Sequence, residues 1–226
     1  MDTNNIPDQL AFHEHQQPQL RPEKDALYLP ARIISAVFTP FLFPFVAFLL
    51  LFSFTYLHIL PTRYKVTILT LVYCFTIFLP MLAIYLFHKL NGWTLRAMRD
   101  REKRFMPYVL TISSYVGCLI TMSRLHVPRY LSGIITATLL CMIICAVINV
   151  KWKISTHMAS SGMMVGGMLS YSLLFQFNPV WWLCGFILLA GLLGSARIIV
   201  RQHTLAEVGG GFLAGLLCGI IGILFI

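Results

Sequence analysis

Seven long apolar stretches, at about 33–57, 66–88, 107–123, 130–150, 158–177, 180–197 and 204–226, follow a polar beginning and are parted by short polar runs. Each is close to the ~20 residues that a helix needs to cross the hydrocarbon core of a bilayer. The pattern predicts an all-α, polytopic transmembrane helical bundle of about seven spans. The third and sixth runs are short and need flanking residues to reach full length. Pro40, Pro44 and Pro80 lie inside runs and are expected to kink them. Gly211, Gly215 and Gly219 recur every fourth residue in the last run, as do Gly162 and Gly166 in the fifth. Small residues at that spacing let helices approach closely in lipid, and close packing is the role expected of them.

The chain divides into a flexible polar tail, residues 1–30, and a transmembrane domain, residues 31–226. The tail carries Pro7, Pro18, Pro22 and Pro30 with several Gln and Asn, a composition that cannot bury a core. It lacks a basic segment leading into a short apolar core, so a cleaved signal peptide is not expected. Composition agrees: 58% of the 226 residues are hydrophobic, 11% are charged, and the mean hydropathy is +0.78. A soluble domain of this length cannot hide that much apolar surface. The six cysteines all fall in apolar runs without metal-ligand spacing to histidine, and read as small buried hydrophobes. A net charge of +9 suits anionic lipid headgroups, and no basic surface outside membrane loops is offered to nucleic acid.

The acids narrow the search for chemistry. Beyond residue 25 only Asp100, Glu102 and Glu207 remain, and Glu207 is the sole acid of the second half. An ionisable group beside an apolar run is costly to keep and marks a functional candidate. His203 precedes Glu207 by four residues, which would put both on one helical face. A carboxylate there can hold an imidazole Nδ1–H and leave Nε2 free, and Arg197 and Arg201 add positive charge nearby. An oriented neutral histidine beside guanidinium groups suits attack on phosphorus.

Two further clusters share that chemistry. Arg101 and Arg104, three apart in R-A-M-R-D-R-E-K-R-F-M-P, would aim at one ligand from a helical turn. In K-W-K-I-S-T-H, Ser155 or Thr156 can cap a helix starting near His157, whose amides with Lys153 make an anion site. His157 there can donate a proton to a leaving oxygen. Each cluster alone also reads as ordinary basic loops, interfacial Trp152 and helix caps. If all seven runs span, the loops 89–106, 151–157 and 198–203 share one membrane face with the N-terminus. His13 and His15 fall in the tail, and His58, His88 and His126 are expected at the interfaces.

With these three clusters the chain resembles the type-2 phosphatidic acid phosphatase superfamily, whose motifs run K-x6-R-P, P-S-G-H and S-R-x5-H-x3-D. Arg197-x5-His203-x3-Glu207 keeps the third spacing with Glu for Asp, although Ser195-Ala196 breaks the Ser-Arg doublet. Ile154-Ser155-Thr156-His157 stands where P-S-G-H would, keeping Ser and His. The first motif is the most divergent: alignment on Pro107 places Arg99 and Met106 at its Lys and Arg positions, so Arg101 and Arg104 match neither. The resemblance covers about 97–210. It implies a six-helix phosphatase core, with His203 as nucleophile, Glu207 as its orienting carboxylate and His157 as general acid. Arg197, Lys153, Ser155 and the Arg101/Arg104 pair would bind the phosphate, without metal or other cofactor. H-T-x-x-E-V also resembles the H-T-x-x-Q-V of dolichyl diphosphatases, which points to an isoprenoid diphosphate.

The expectation is therefore an integral membrane lipid phosphatase acting on a phospholipid or polyprenyl diphosphate through a phosphohistidine. The alternatives are a lipid phosphotransferase of the same fold, or a non-enzymatic transporter or assembly protein using His203–Glu207 as a polar pair. Thirteen of the 17 lysines and arginines fall on the site-bearing side. The positive-inside rule then puts the site at the cytoplasmic face, in a bacterial inner membrane, although many bacterial relatives in the family face the periplasm.

Overall fold

The computed structural model describes residues 27–91 and 105–225. No strand occurs among them, and the α-helices are α1 (Tyr28–Val37), α2 (Leu42–Phe54), α3 (Thr62–Tyr73), α4 (Leu79–Asn91), α5 (Phe105–Arg124), α6 (Arg129–Lys151), α7 (Thr156–Phe175), α8 (Val180–Ile199) and α9 (Leu205–Leu224). Six helices among the described residues are long and apolar enough to cross a membrane, with α3 and α4 forming one continuous span. The α1–α2 pair, bent by 66°, would make a seventh if it crosses as one. Outward faces are apolar, for example Leu188 and Leu192 on α8 and Leu213 and Leu217 on α9. The chain fits an integral membrane protein. The two short runs gain flanking residues and become 20-residue helices, α5 and α8.

The first run carries the bend expected at Pro40, as two helices set at 66° to one another, and helix begins at Tyr28. Pro40 lies in the break, where it denies the Thr39 residue before it an easy α conformation, while Pro44 sits in the first turn of α2. Pro80 acts differently. A π turn, Cys74–Phe78, precedes it and absorbs the misfit of a ring that would otherwise meet the carbonyl four residues back. The turn frees the Phe75 carbonyl, which accepts from the Ser114 hydroxyl of α5.

The tightest packing joins α7 to α9. A Cβ at Gly215 would lie 1.7 Å from the Ala159 carbonyl oxygen, and one at Gly162 would lie 2.1 Å from that of Phe212. Backbones this close gain dispersion contacts and shed no bulky side chain from lipid, which is how helices associate where water supplies no driving force. Two apolar clusters fill the rest. The larger is centred on Tyr115, Met122, Leu131, Ile135 and Cys145, and a smaller one of Phe43, Met158, Leu193 and Val208 flanks the site. Cys118, Cys141, Cys145 and Cys218 are buried as expected, whereas Cys74 and Cys184 are exposed on apolar helices.

Candidate functional site

The end of α8 is built to reverse the chain. Arg201 adopts a left-handed conformation, φ 54°. Its N–H meets the Ile198 carbonyl at 2.9 Å, and the Gln202 N–H meets the Arg197 carbonyl at 3.2 Å. This paired closure uses up orphan carbonyls of the last helical turn. It also turns the Arg201 side chain out to solvent, so of the two arginines expected beside the histidine only Arg197 is buried there.

His203 then falls just before α9, correcting the expectation of two residues on one helical face. Thr204 caps the helix: its hydroxyl accepts from the Glu207 N–H at 3.4 Å, and Glu207 Oε2 accepts from the Thr204 N–H at 3.2 Å. The same Oε2 lies 2.9 Å from His203 Nδ1. A carboxylate only accepts, so Nδ1 carries the proton and Nε2 presents its lone pair. Burial beside the Arg197 guanidinium pushes the His203 pKa down from 6.5 to about 4; the Glu207 hydrogen bond opposes this and Lys153 adds to it. The imidazole is neutral at physiological pH.

The second cluster joins it. Ser155 is the N-cap position of α7, and its backbone N–H reaches the Glu207 carbonyl at 3.4 Å, tying the start of α7 to the start of α9. Its hydroxyl makes no capping bond, contrary to expectation; it is fully buried and has no partner among the described residues. Gly211 permits this approach, since a Cβ there would lie 2.6 Å from the Ser155 carbonyl oxygen. His157, in the first turn of α7, lies within electrostatic range of both Arg197 and His203, and its Nδ1 is buried with no hydrogen-bond partner among the described residues. Lys153 is half-buried beside them. Thus His203, Glu207, His157, Arg197, Ser155 and Lys153 gather at one end of the bundle. The expected phosphate ligands Arg101 and Arg104 lie outside the described residues, as do Asp100 and Glu102.

One participant is absent from the sequence reading. Ser35 of α1 accepts a 2.6 Å hydrogen bond from Arg197 Nη1, between side chains 162 residues apart and both buried. The Ser35 backbone also faces the His157 imidazole. Helix α1 therefore forms one wall of the site. Its only advance signal is the small pair Ala31 and Ser35, four apart in a stretch of bulky residues. Asn149, in the last turn of α6 at the same end, is buried, and its Oδ1 has no partner among the described residues.

The set offers a neutral, oriented imidazole, a second imidazole, a guanidinium, an ammonium and buried hydrogen-bonding atoms, groups with the chemistry to hold an anion such as a phosphoryl group. Among the described residues no three of His, Cys, Asp and Glu are arranged to bind a metal ion. No protein-family model, curated protein or solved structure matches the chain.

Proposed function

We propose that this chain is an integral membrane lipid phosphatase that hydrolyses a lipid phosphate or polyprenyl diphosphate through a phosphohistidine. The observation carrying the reading is the neutral His203, held by Glu207 at 2.9 Å with Nε2 free, beside Arg197 and a second histidine. Nε2 attacks the outermost phosphorus, the N–P bond forms, and the P–O bond to the lipid oxygen, or to the bridging oxygen of a diphosphate, breaks. His157 gives its proton to that leaving oxygen. The phosphate group brings that proton when it binds and passes it to the His157 ring. A water then attacks the phosphohistidine, its proton passes to His157, the N–P bond breaks and inorganic phosphate leaves. Arg197, Lys153 and the Ser155 hydroxyl hold the phosphoryl oxygens. The excess of lysine and arginine on the site-bearing side supports a cytoplasmic orientation.

The competing reading is structural, because Glu207 also completes the cap of α9. Phosphate release by purified protein over phosphatidate, phosphatidylglycerophosphate and polyprenyl diphosphates separates the two. The expected result is release by the wild type, an acid-labile labelled phosphoenzyme, and a loss of at least about 10⁴-fold in His203→Ala. No release from any of these lipids by folded wild-type protein would sink the proposal and leave the pair as a helix cap.

A further inference from the structure

An apolar groove occupies the half of the bundle away from the site. Helices α2 and α8 wall it, α7 floors it, and its lining includes Leu50, Phe54, Met164, Met168, Trp182 and Phe186. Among the described residues no charged side chain lines it. Its bottom is aromatic, with the Phe54 and Trp182 rings packed at a centroid distance of 4.5 Å. The depth is readable from α7. Met163 and Tyr171 bound the groove and follow His157 by 6 and 14 residues, hence lie about 9 and about 21 Å below it. Half of the hydrocarbon core is about 15 Å, so the groove straddles the bilayer midplane and continues into the opposite leaflet.

The helices that wall and floor the groove also build the site at their other ends: His157 on α7, Arg197 on α8, and Ser35 on the α1 segment leading into α2. A chain whose phosphate sits against His203 would meet the groove at its near rim, about 9 Å below His157. One as deep as its own leaflet would stop partway, and only a longer one would reach the Phe54–Trp182 pair. We propose that the groove takes the far end of the substrate's hydrocarbon chain and so favours lipid phosphates whose single chain passes the bilayer midplane. The inference rests on the phosphatase reading for the identity of the headgroup, and on the groove alone for the chain.

Two measurements test it on the full chain in lipid nanodiscs. In the first, phosphate release is compared for a farnesyl-length and a long polyprenyl diphosphate. Leu50→Trp, which narrows the groove, is expected to lower kcat/KM about tenfold for the long chain and less than about twofold for the short one. Trp182→Ala, which opens the bottom, is expected to shift the preferred length upward. Equal losses on both chains in both variants, or no change in either, overturn the proposal. In the second, a non-hydrolysable long-chain polyprenyl phosphonate with a photoreactive group at its far end is crosslinked to the wild type. Labelling at Leu50–Phe54 or at Met164–Met168 supports the groove. Labelling confined to outward residues such as Leu188 and Leu192, as bulk lipid would give, overturns it. Groove labelling in a protein that releases no phosphate keeps the chain site while removing hydrolysis, so the two readings fail separately.

Discussion

Far from the site, the Tyr171 hydroxyl donates to the Tyr130 carbonyl and Ser170 donates to the Gly166 carbonyl at 3.0 Å, so these buried polar groups are satisfied within the protein. Where α7 begins, Ser155 Oγ, His157 Nδ1 and, on α6, Asn149 Oδ1 are buried with no partner among the described residues. In an apolar surround an unsatisfied polar atom is costly, and native structures keep few without reason. One helix pair thus carries a closed end and an end with spare hydrogen-bonding capacity, and the spare capacity coincides with the histidines. The Thr76 hydroxyl is also unpartnered, but it belongs to the π turn, where Pro80 supplies a local cause.

The contrast breaks most completely at the seam that supports both ends. Gly215→Leu drives a side chain into the Ala159 carbonyl and is expected to cost 3 kcal/mol or more, about the upper end for overpacking, read as loss of Tm and of monodisperse protein. Ser155→Ala sharpens it: kcat/KM for phosphate release should fall about 100-fold with Tm unchanged, because the hydroxyl has no partner to lose in the free protein. An equal fall in Tm would mark the residue as structural.

The pH profile follows next in size. With His203 at about 4, the acid limb of kcat/KM should lie near pH 4 and not near 6.5. Arg197→Gln removes a cation that lowers this pKa and should move the limb up, whereas Glu207→Gln removes a partner that raises it and should move the limb further down. Stability has the matching sign. The unfolded chain binds the proton near 6.5 and the folded one only near 4, so the contribution of His203 to stability is complete above 6.5 and is lost as pH falls towards 4. The smallest change is expected at the closed end, where Tyr171→Phe should cost about 1 kcal/mol in Tm-derived stability and leave phosphate release alone.

The apolar runs declared most of the fold, since lipid-facing helices are apolar over their whole length and polar residues punctuate only their ends. The same uniformity hid α1, whose Leu29, Ile33 and Val37 merge into the apolar residues of α2 and leave Pro40 to suggest only a kink. The pairing of His203 with Glu207 was legible from a spacing of four, although the bond crosses a helix start and does not run along a helix face. Ser155 and His157 were legible by composition, but their meeting with His203 depends on Gly211, whose role appears only once α7 and α9 cross. Ser35 left almost no trace, because a serine in an apolar helix looks the same whether it holds an arginine or its own backbone.

A single oxygen atom, Glu207 Oε2, serves both the Thr204 amide and the His203 ring. The tilt of that ring is thereby inherited from the orientation of α9, as a pointer bolted to a shaft inherits the shaft's rotation. Glycine contacts lock α9 against α7, which carries the other imidazole on its first turn. The two rings therefore share one rigid mount, and any ligand that changes their separation must first slide backbone over backbone.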